Sequence, residues 1–425
     1  MKVLVVGGGG REHALCWKIA QSPLVTEVHA FPGNAGIAKI ARIPKLADDS
    51  TATILDYAKR ERIDLTVIGP EKYLALGIAD SFAAEGLQIF GVGAEAARLE
   101  SSKIFAKEIM RAAGIPTARH VVARGLDEGL KLLRSLPYPL VLKADGLAEG
   151  KGVSIALNPA EGEKELREFM GGRFKEAGRE LVMEEFLDGE ELSLILLTDG
   201  AAWRPFLFAQ DHKRAFDGDE GPNTGGMGAY CPVSIGTPAL LERCETEIIR
   251  PLLRTLTERG IAYRGVLYIG LMLVKGKPFV LEYNVRFGDP ETEPLLMALE
   301  SDLVPYLQAT ANGKLGATEP FEWHPGATAT VVVASGGYPG SYKKGLPITG
   351  LDATDPAVTV FHAGSATGPD GRPVTAGGRM FMVTAHGDTL REAVATAARN
   401  AARITFDGAF FRRDIGHREL KRERT

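Results

Sequence analysis

The sequence predicts a multidomain protein of mixed α/β and α+β class, with an open α/β unit first, a larger α+β block in the middle and a small β-rich unit last. Three observations predict it. Over the first hundred residues short apolar runs alternate with helical patterns, as in strands joined by crossover helices. Two apolar runs, 140–144 and 153–157, then flank a glycine-rich loop, as two strands of a hairpin do. After Pro325 β-rich runs return and an alanine-rich helix follows. A chain of 425 residues is too long for one core of usual size, so roughly three or four packed units are expected. The expected divisions are 1–101, 102–325 with a lobe at 118–188, and 326–425.

In the first unit the strand candidates are 3–6, 28–31, 65–68 and 89–92. The first ends in Gly7-Gly8-Gly9-Gly10, directly before a helix. Backbone N–H groups and a helix N-terminus then face one crevice, and an anion fits there. A dinucleotide fingerprint is excluded, because Glu12 stands where the third glycine belongs and no acidic residue closes the second strand at Phe31-Pro32-Gly33-Asn34. A helix over 102–113 ends at Gly114 with Pro116 just beyond, a stop signal. The next strands are expected at 140–144, 153–157, 181–186, 192–197, 206–208, 265–274 and 278–283, with a helix over 242–259. In the last unit strands are expected at 329–334 and 379–385, and a helix over 390–404.

The densest chemistry lies in Glu282-Tyr283-Asn284-Val285-Arg286-Phe287-Gly288-Asp289-Pro290-Glu291-Thr292-Glu293. Side chains alternate along a strand, so Glu282 and Asn284 share a face on which a carboxylate and an amide oxygen could hold one hard cation, with Arg286 continuing that face. Mg²⁺ held by only one or two protein oxygens is usual where water and phosphate oxygens complete the shell. This points to ATP chemistry.

Asp145-Gly146-Leu147-Ala148-Glu149-Gly150-Lys151-Gly152 contains Gly-Lys, yet it is not a P-loop. Gly146 is one residue too close to Gly150, and Gly152 stands where Ser or Thr would bind Mg²⁺. Its glycines still permit close approach to a polyphosphate, with Lys151 and Lys143 supplying charge. The alternative is a solvated hairpin, but Lys143 sits inside an apolar run, where an unpaired ammonium is costly. Glu184, Glu185, Glu190 and Glu191 follow at a strand end; they read either as acceptors for ribose and adenine donors or as an acidic surface turn. Asp211-His212-Lys213-Arg214 and the glycine-rich run 221–230 have loop chemistry of the kind that binds ligands.

Composition narrows the class. A formal net charge of -4 gives no long-range attraction to nucleic acid or anionic membrane, so neither is an expected partner. Cys16, Cys231 and Cys244 are scattered without metal-ligand spacing, which suits packing in a reducing compartment. The first apolar run is too short for a signal peptide. A cytoplasmic location is expected.

The order of Lys103, Lys143, the 146–152 loop, Glu184, Glu191, Glu282 and Asn284 resembles the ATP-grasp superfamily. The longer runs Gly9-Gly10-Arg11-Glu12-His13-Ala14, Pro32-Gly33-Asn34-Ala35-Gly36, Asp211 to Arg214, 221–230, Arg286 to Glu291 and Arg413-Asp414-Ile415-Gly416 resemble the phosphoribosylamine-glycine ligase family within it. That resemblance covers nearly the whole chain. It implies an ATP-grasp architecture with a pre-ATP-grasp N-terminal domain, and an enzyme that ligates glycine to 5-phosphoribosylamine through a glycyl phosphate, releasing ADP and phosphate, early in purine synthesis. It further implies that Lys103, Lys143, Gly150, Lys151 and Gly152 meet the nucleotide phosphates, and that Glu184, Glu185, Leu187 and Glu191 hold adenine and ribose. Glu282 and Asn284 are then the ligands of Mg²⁺ or Mn²⁺, and Arg286, Lys213 and Asp289 lie at the reacting groups. Gly9, Gly10, Asn34 and Asp211 fall to the phosphoribosylamine site.

Cys231 stands where serine is frequent in the family, and Glu149 where alanine is frequent. The chain, ending at Thr425, is expected to be the free-standing ligase and to act as a monomer. Two rivals remain open at this point: an ATP-grasp carboxylase that uses bicarbonate, and a nucleotide-binding sensor without turnover.

Overall fold

Strand Lys2–Gly7 is buried along nearly all its length, and it pairs in parallel with Glu27–Pro32 on one side and Leu65–Ile68 on the other. Ile89–Phe90 adds a parallel edge. The computed structural model describes residues 1–146, 152–173 and 180–423; Glu149, Gly150 and Lys151 lie outside them. The strand order of this sheet is second, first, third, fourth, so the chain reverses direction across the sheet at the first strand. Ligands of open α/β sheets collect at such a switch point. Here it brings the 7–10 loop beside Gly69, Pro70 and Glu71.

Helix Lys103–Ala113 leaves this unit. The Ser102 side chain accepts the Phe105 N–H at its start, and Gly114 ends it with φ 68, a left-handed cap natural to glycine. A four-stranded antiparallel sheet follows in the order His120–Ala123, Leu181–Glu185, Leu140–Ala144, Val153–Ala156. One face, with Leu140, Leu142, Leu181 and Met183, packs under helices Leu126–Leu133 and Pro159–Glu168. Alternation puts Val141, Lys143 and Glu184 on the other face.

The second antiparallel sheet runs Trp203–Pro205, Glu190–Thr198, Gly265–Val274, Lys277–Asn284. Lys275 and Gly276, both at positive φ (50° and 76°), close the last hairpin; two such residues make the tight turn whose twist suits adjacent strands. The expected strand at 206–208 is not formed. The strand is Trp203–Pro205, and Phe206 turns inward to pack on Phe287, Phe321 and Trp323. The expected continuous helix over 242–259 is instead Pro238–Cys244, a π turn Glu245–Ile249 and Arg250–Glu258. Pro251 lacks the N–H an α-helix needs there, and the wider turn ahead of it accommodates the loss.

The third sheet crosses the division expected at 325/326. Val358–His362 pairs with Arg379–Gly387, that strand with Ala327–Ala334, and Ala327–Ala334 with Gly228–Cys231, which in turn pairs with Gln210–Asp211. The C-terminal unit therefore shares its sheet with the 211–230 region, and helix Leu390–Ala401 covers one face through Ala397 and Ala401. Among the described residues no helix is long and apolar enough to cross a membrane.

Candidate active site

A cavity of about 1220 Å³ opens where the three antiparallel sheets meet the first unit. Its apolar end is walled by Met110, Ala118, Val141, Ile155, Phe186 and Met272, which suits a flat, apolar ring. Glu184, Glu185, Leu187, Glu191, Lys103, Lys143, Gly146 and Gly152 also line the cavity. Asp211, Lys213, Glu282, Asn284, Arg286 and Asp289 fill the polar end. Segments far apart in sequence thus converge on one space.

Lys143 sits on the cavity face of the first antiparallel sheet. Its ammonium lies 2.9 Å from Glu184 Oε2, and Lys107 lies 2.9 Å from Glu184 Oε1. All three side chains are nearly fully buried. Burial alone would raise the Glu184 carboxyl, but the two ammonium groups outweigh it and hold the group below its usual range. Lys143 also donates to Leu281 O at 3.0 Å. That carbonyl is available because Gly270 pairs with Glu282 while Leu271 pairs with Val280, which leaves Leu281 as the extra residue of a bulge. Lys107 was not anticipated, although it lies one helical turn beyond Lys103 and so shares its face.

Lys103 donates to Gly146 O at 3.1 Å. Burial lowers its pKa, with Glu282 opposing. Asp145 fastens the start of the glycine loop to the same helix by accepting the Ile104 N–H at 3.0 Å.

At the polar end the Glu282 carboxylate has no hydrogen bond or ion pair among the described residues. Asn284 Oδ1 accepts one bond from Arg286, at 3.2 Å, and an amide oxygen keeps a second lone pair. No group of three or more His, Cys, Asp or Glu able to hold a metal occurs among the described residues. Two oxygens on one strand face therefore fit a hard divalent cation whose remaining ligands come from water and phosphate. Lys213 pairs with Glu191 at 2.5 Å. Burial opposes the Lys213 charge, yet Glu191, Asp211 and Glu282 together raise its pKa well above the ordinary value. Asp211 has no ion pair among the described residues; burial first, then Glu291, Glu191 and Glu282, against the pull of Lys213, raise it to about 7.

Several supports of this end carry no local sequence signal. Arg286 is held by Glu71 at 3.4 Å and Glu100 at 3.1 Å. Asp289 pairs with Arg379 at 3.0 Å, and the same guanidinium nitrogen donates to Gly225 O at 2.6 Å and Asp289 O at 3.0 Å. Glu291 accepts hydroxyl hydrogen bonds from Tyr268 at 2.8 Å and Ser193 at 3.0 Å. His212 Nε2 accepts the Gly416 N–H at 2.9 Å, which ties the 211–214 loop to the C-terminal motif.

Gly9, Gly10 and Asn34 stand apart from the cavity wall. The Gly9 N–H donates to the chain's own Glu12 Oε2 at 2.6 Å, so the helix start expected to receive an anion is met by a carboxylate of the fold. A Cβ on Gly10 would lie 2.5 Å from Met382 Sδ and 2.7 Å from Glu293 Oε1, a packing constraint. Asn34 Nδ2 donates to Gly8 O (3.0 Å) and His362 O (2.7 Å), and its Oδ1 accepts from Gly36 and Ile37 N–H, both at 2.9 Å. Every polar valence of that amide is used within the fold.

Three family models cover the chain in order: the phosphoribosylglycinamide synthetase N domain over residues 1–100, its ATP-grasp (A) domain over 101–292 and its C domain over 328–418. The chain belongs to the phosphoribosylglycinamide synthetase family. A curated relative from Xanthomonas axonopodis pv. citri, a phosphoribosylamine–glycine ligase, is 48% identical over 100% of this chain and 99% of its own. The crystal structure of the Thermotoga maritima phosphoribosylamine–glycine ligase matches with TM-score 0.84 and 36% identity, covering 98% of this chain and 100% of that one. The biotin carboxylase domain of Hydrogenobacter thermophilus 2-oxoglutarate carboxylase, in complex with MgADP and bicarbonate, matches with TM-score 0.73 at 18% identity, over 96% of this chain and 91% of that one. At that identity the likeness is one of fold alone; the ATP-grasp architecture of this phosphoribosylglycinamide synthetase family member rests on the domain model over 101–292.

Proposed function

We propose that this chain joins glycine to 5-phosphoribosylamine in purine biosynthesis, with ATP as the energy source and Mg²⁺ or Mn²⁺ as the metal. The observation that carries the reading is the single cavity in which an apolar end, a row of ammonium groups and the Glu282–Asn284 oxygen pair converge, in a chain matched along nearly its whole length by this family.

A carboxylate is a poor acyl donor. A glycine carboxylate oxygen therefore takes the γ-phosphoryl group as the bond to ADP breaks, and the amine nitrogen of phosphoribosylamine then attacks the acyl carbon, loses a proton and expels phosphate. Both steps gather like charges, so positioned cations carry the catalysis. Lys103 and Lys143 flank the phosphates, and Lys213 and Arg286 face the reacting end with Asp289. Glu184, Glu185, Leu187 and Glu191 border the adenosine space. The metal, when bound by Glu282 and Asn284, adds Lewis-acid charge stabilisation to the transferring phosphoryl. Asp211, without an ion pair of its own among the described residues, suits an ammonium or hydroxyl of the small substrates.

ADP release measured with glycine, phosphoribosylamine, both and neither tests the reading. Turnover is expected only with both, since an acyl phosphate exposed to water without the amine would be lost. Equal turnover with bicarbonate in place of glycine would overturn it.

A further inference from the structure

We infer that Glu100, with Glu71, is a positioning residue through which the N-terminal unit holds Arg286 in its working geometry; the inference rests on the ligase reading above. Glu100 closes helix Ala94–Ser101 and is 8% exposed. Its Oε2 accepts the Val285 N–H at 2.8 Å, and its Oε1 stands 3.1 Å from an Arg286 terminal nitrogen. One carboxylate therefore fixes both the backbone that leaves the Glu282–Asn284 strand and the guanidinium two residues past it. Glu71, the first residue of helix Glu71–Ala75, approaches Arg286 Nε at 3.4 Å.

The remaining contacts extend the same device. Arg286 donates from one terminal nitrogen to Phe287 O at 3.2 Å and from the other to Asn284 Oδ1 at 3.2 Å. Arg11, also from the first hundred residues, donates to the same Phe287 carbonyl at 3.1 Å and is itself held by Glu12 at 2.6 Å. Two arginines thus converge on one carbonyl, and the carboxylates beside them, Glu12, Glu71 and Glu100, all come from the N-terminal unit. An unrestrained arginine samples many rotamers, whereas a group that must meet developing charge gains most from a fixed geometry. Because Glu71 and Glu100 lie 215 and 186 residues before Arg286 (286 − 71 and 286 − 100), the charge clamp is complete only with the first unit docked.

A double-mutant cycle tests the assignment. ADP release with all substrates would be measured for the wild type, Glu100→Gln, Arg286→Lys and the double variant, with ATP affinity and a melting curve for each. Glu100→Gln is expected to lower kcat by about tenfold or more, a size typical of a misplaced catalytic group, with ATP affinity within about twofold of wild type. In the Arg286→Lys background the same change is expected to cost little further, because residues acting as one unit lose activity non-additively. A wild-type kcat in Glu100→Gln, or a double variant whose loss is the product of the two single losses, would overturn the proposal. If Glu100→Gln does not fold, Glu71→Gln, on the more exposed side of Arg286, replaces it in the cycle with the same two readings. Glycine-dependent turnover of the wild type reports separately on the ligase reading.

Discussion

Lys143, on strand Leu140–Ala144, donates to the carbonyl of Leu281, at 3.0 Å, on the strand that carries Glu282. The same ammonium pairs with Glu184, which a second ammonium, Lys107, also engages. The two halves of this triad are expected to respond differently to mutation. Lys143→Met leaves Glu184 paired with Lys107, so stability should change modestly while the KM for ATP rises about tenfold or more through the lost phosphate cation. Glu184→Gln leaves two buried ammonium groups without a carboxylate and should cost about 3 kcal/mol, the scale of breaking a buried pair from one side. Urea unfolding beside ADP-release kinetics separates them; an unchanged ATP KM in Lys143→Met would remove Lys143 from the nucleotide site.

Glu282 is the opposite case. Its carboxylate has no ion pair or hydrogen bond among the described residues, and the carboxylates near Arg286 are Glu71 and Glu100. Glu282→Gln should therefore leave the melting temperature nearly unchanged while kcat falls by ~10²-fold or more, through lost electrostatic stabilisation of the transferring phosphoryl. A Mg²⁺ titration of both proteins is the check. Wild-type turnover with an unaltered metal requirement in the variant would refute the ligand role.

Much of this arrangement was legible in the sequence where the cause is local. The apolar runs of the first sheet, the hairpin at 274–277 and the helix capped by Ser102 and Gly114 follow from alternation, turn residues and caps. The face shared by Glu282 and Asn284 is local in the same way, whereas the strand ends at Asn284 and Arg286, expected to continue that face, lies in the bend beyond it. What escaped is what distant segments decide. Glu12, read as a failed glycine, caps its own helix through Gly9. The Asn34 amide ties Gly8, Gly36 and Ile37 to His362, 328 residues away. The Leu281 bulge depends on the pairing register. Phe206 has the local look of a strand residue, but the aromatic group formed by Phe287, Phe321 and Trp323 draws it inward.

The junction of the first and last units should weaken in acid. His13 Nδ1 accepts the His362 N–H at 2.8 Å, so its proton resides on Nε2. Burial, then the proximity of His362 and Lys39, lowers the His13 pKa to about 3, and burial with Lys39 lowers that of His362 to about 4. Both values lie below the ordinary 6.5. The unfolded chain therefore takes up protons before the folded one does. This contribution to stability is fully present above about pH 6.5 and is lost as pH falls toward 4 and 3. Melting temperature should decline over that window, and His13→Gln, which can still accept the His362 N–H but does not titrate, should show a shallower decline. Identical slopes would mean that His13 does not titrate this junction.

The loop after the first strand offers a steric test. A Cβ on Gly8 would lie 2.5 Å from the Gly33 carbonyl oxygen and 3.1 Å from its carbon, both backbone atoms of a loop tied down by the Asn34 amide, which reaches back to Gly8 O. Neither side can yield without moving the 32–36 loop. Gly8→Ala should therefore destabilise the protein by about 1–3 kcal/mol, as overpacking does. Gly316→Ala, whose Cβ would meet only Ala202 Cβ at an ordinary 3.5 Å, is the matched control and should change stability by no more than about 0.5 kcal/mol. Thermal melts of the two variants decide the point: if Gly8→Ala melts with the control, the close approach of Gly8 and Gly33 does not constrain this loop.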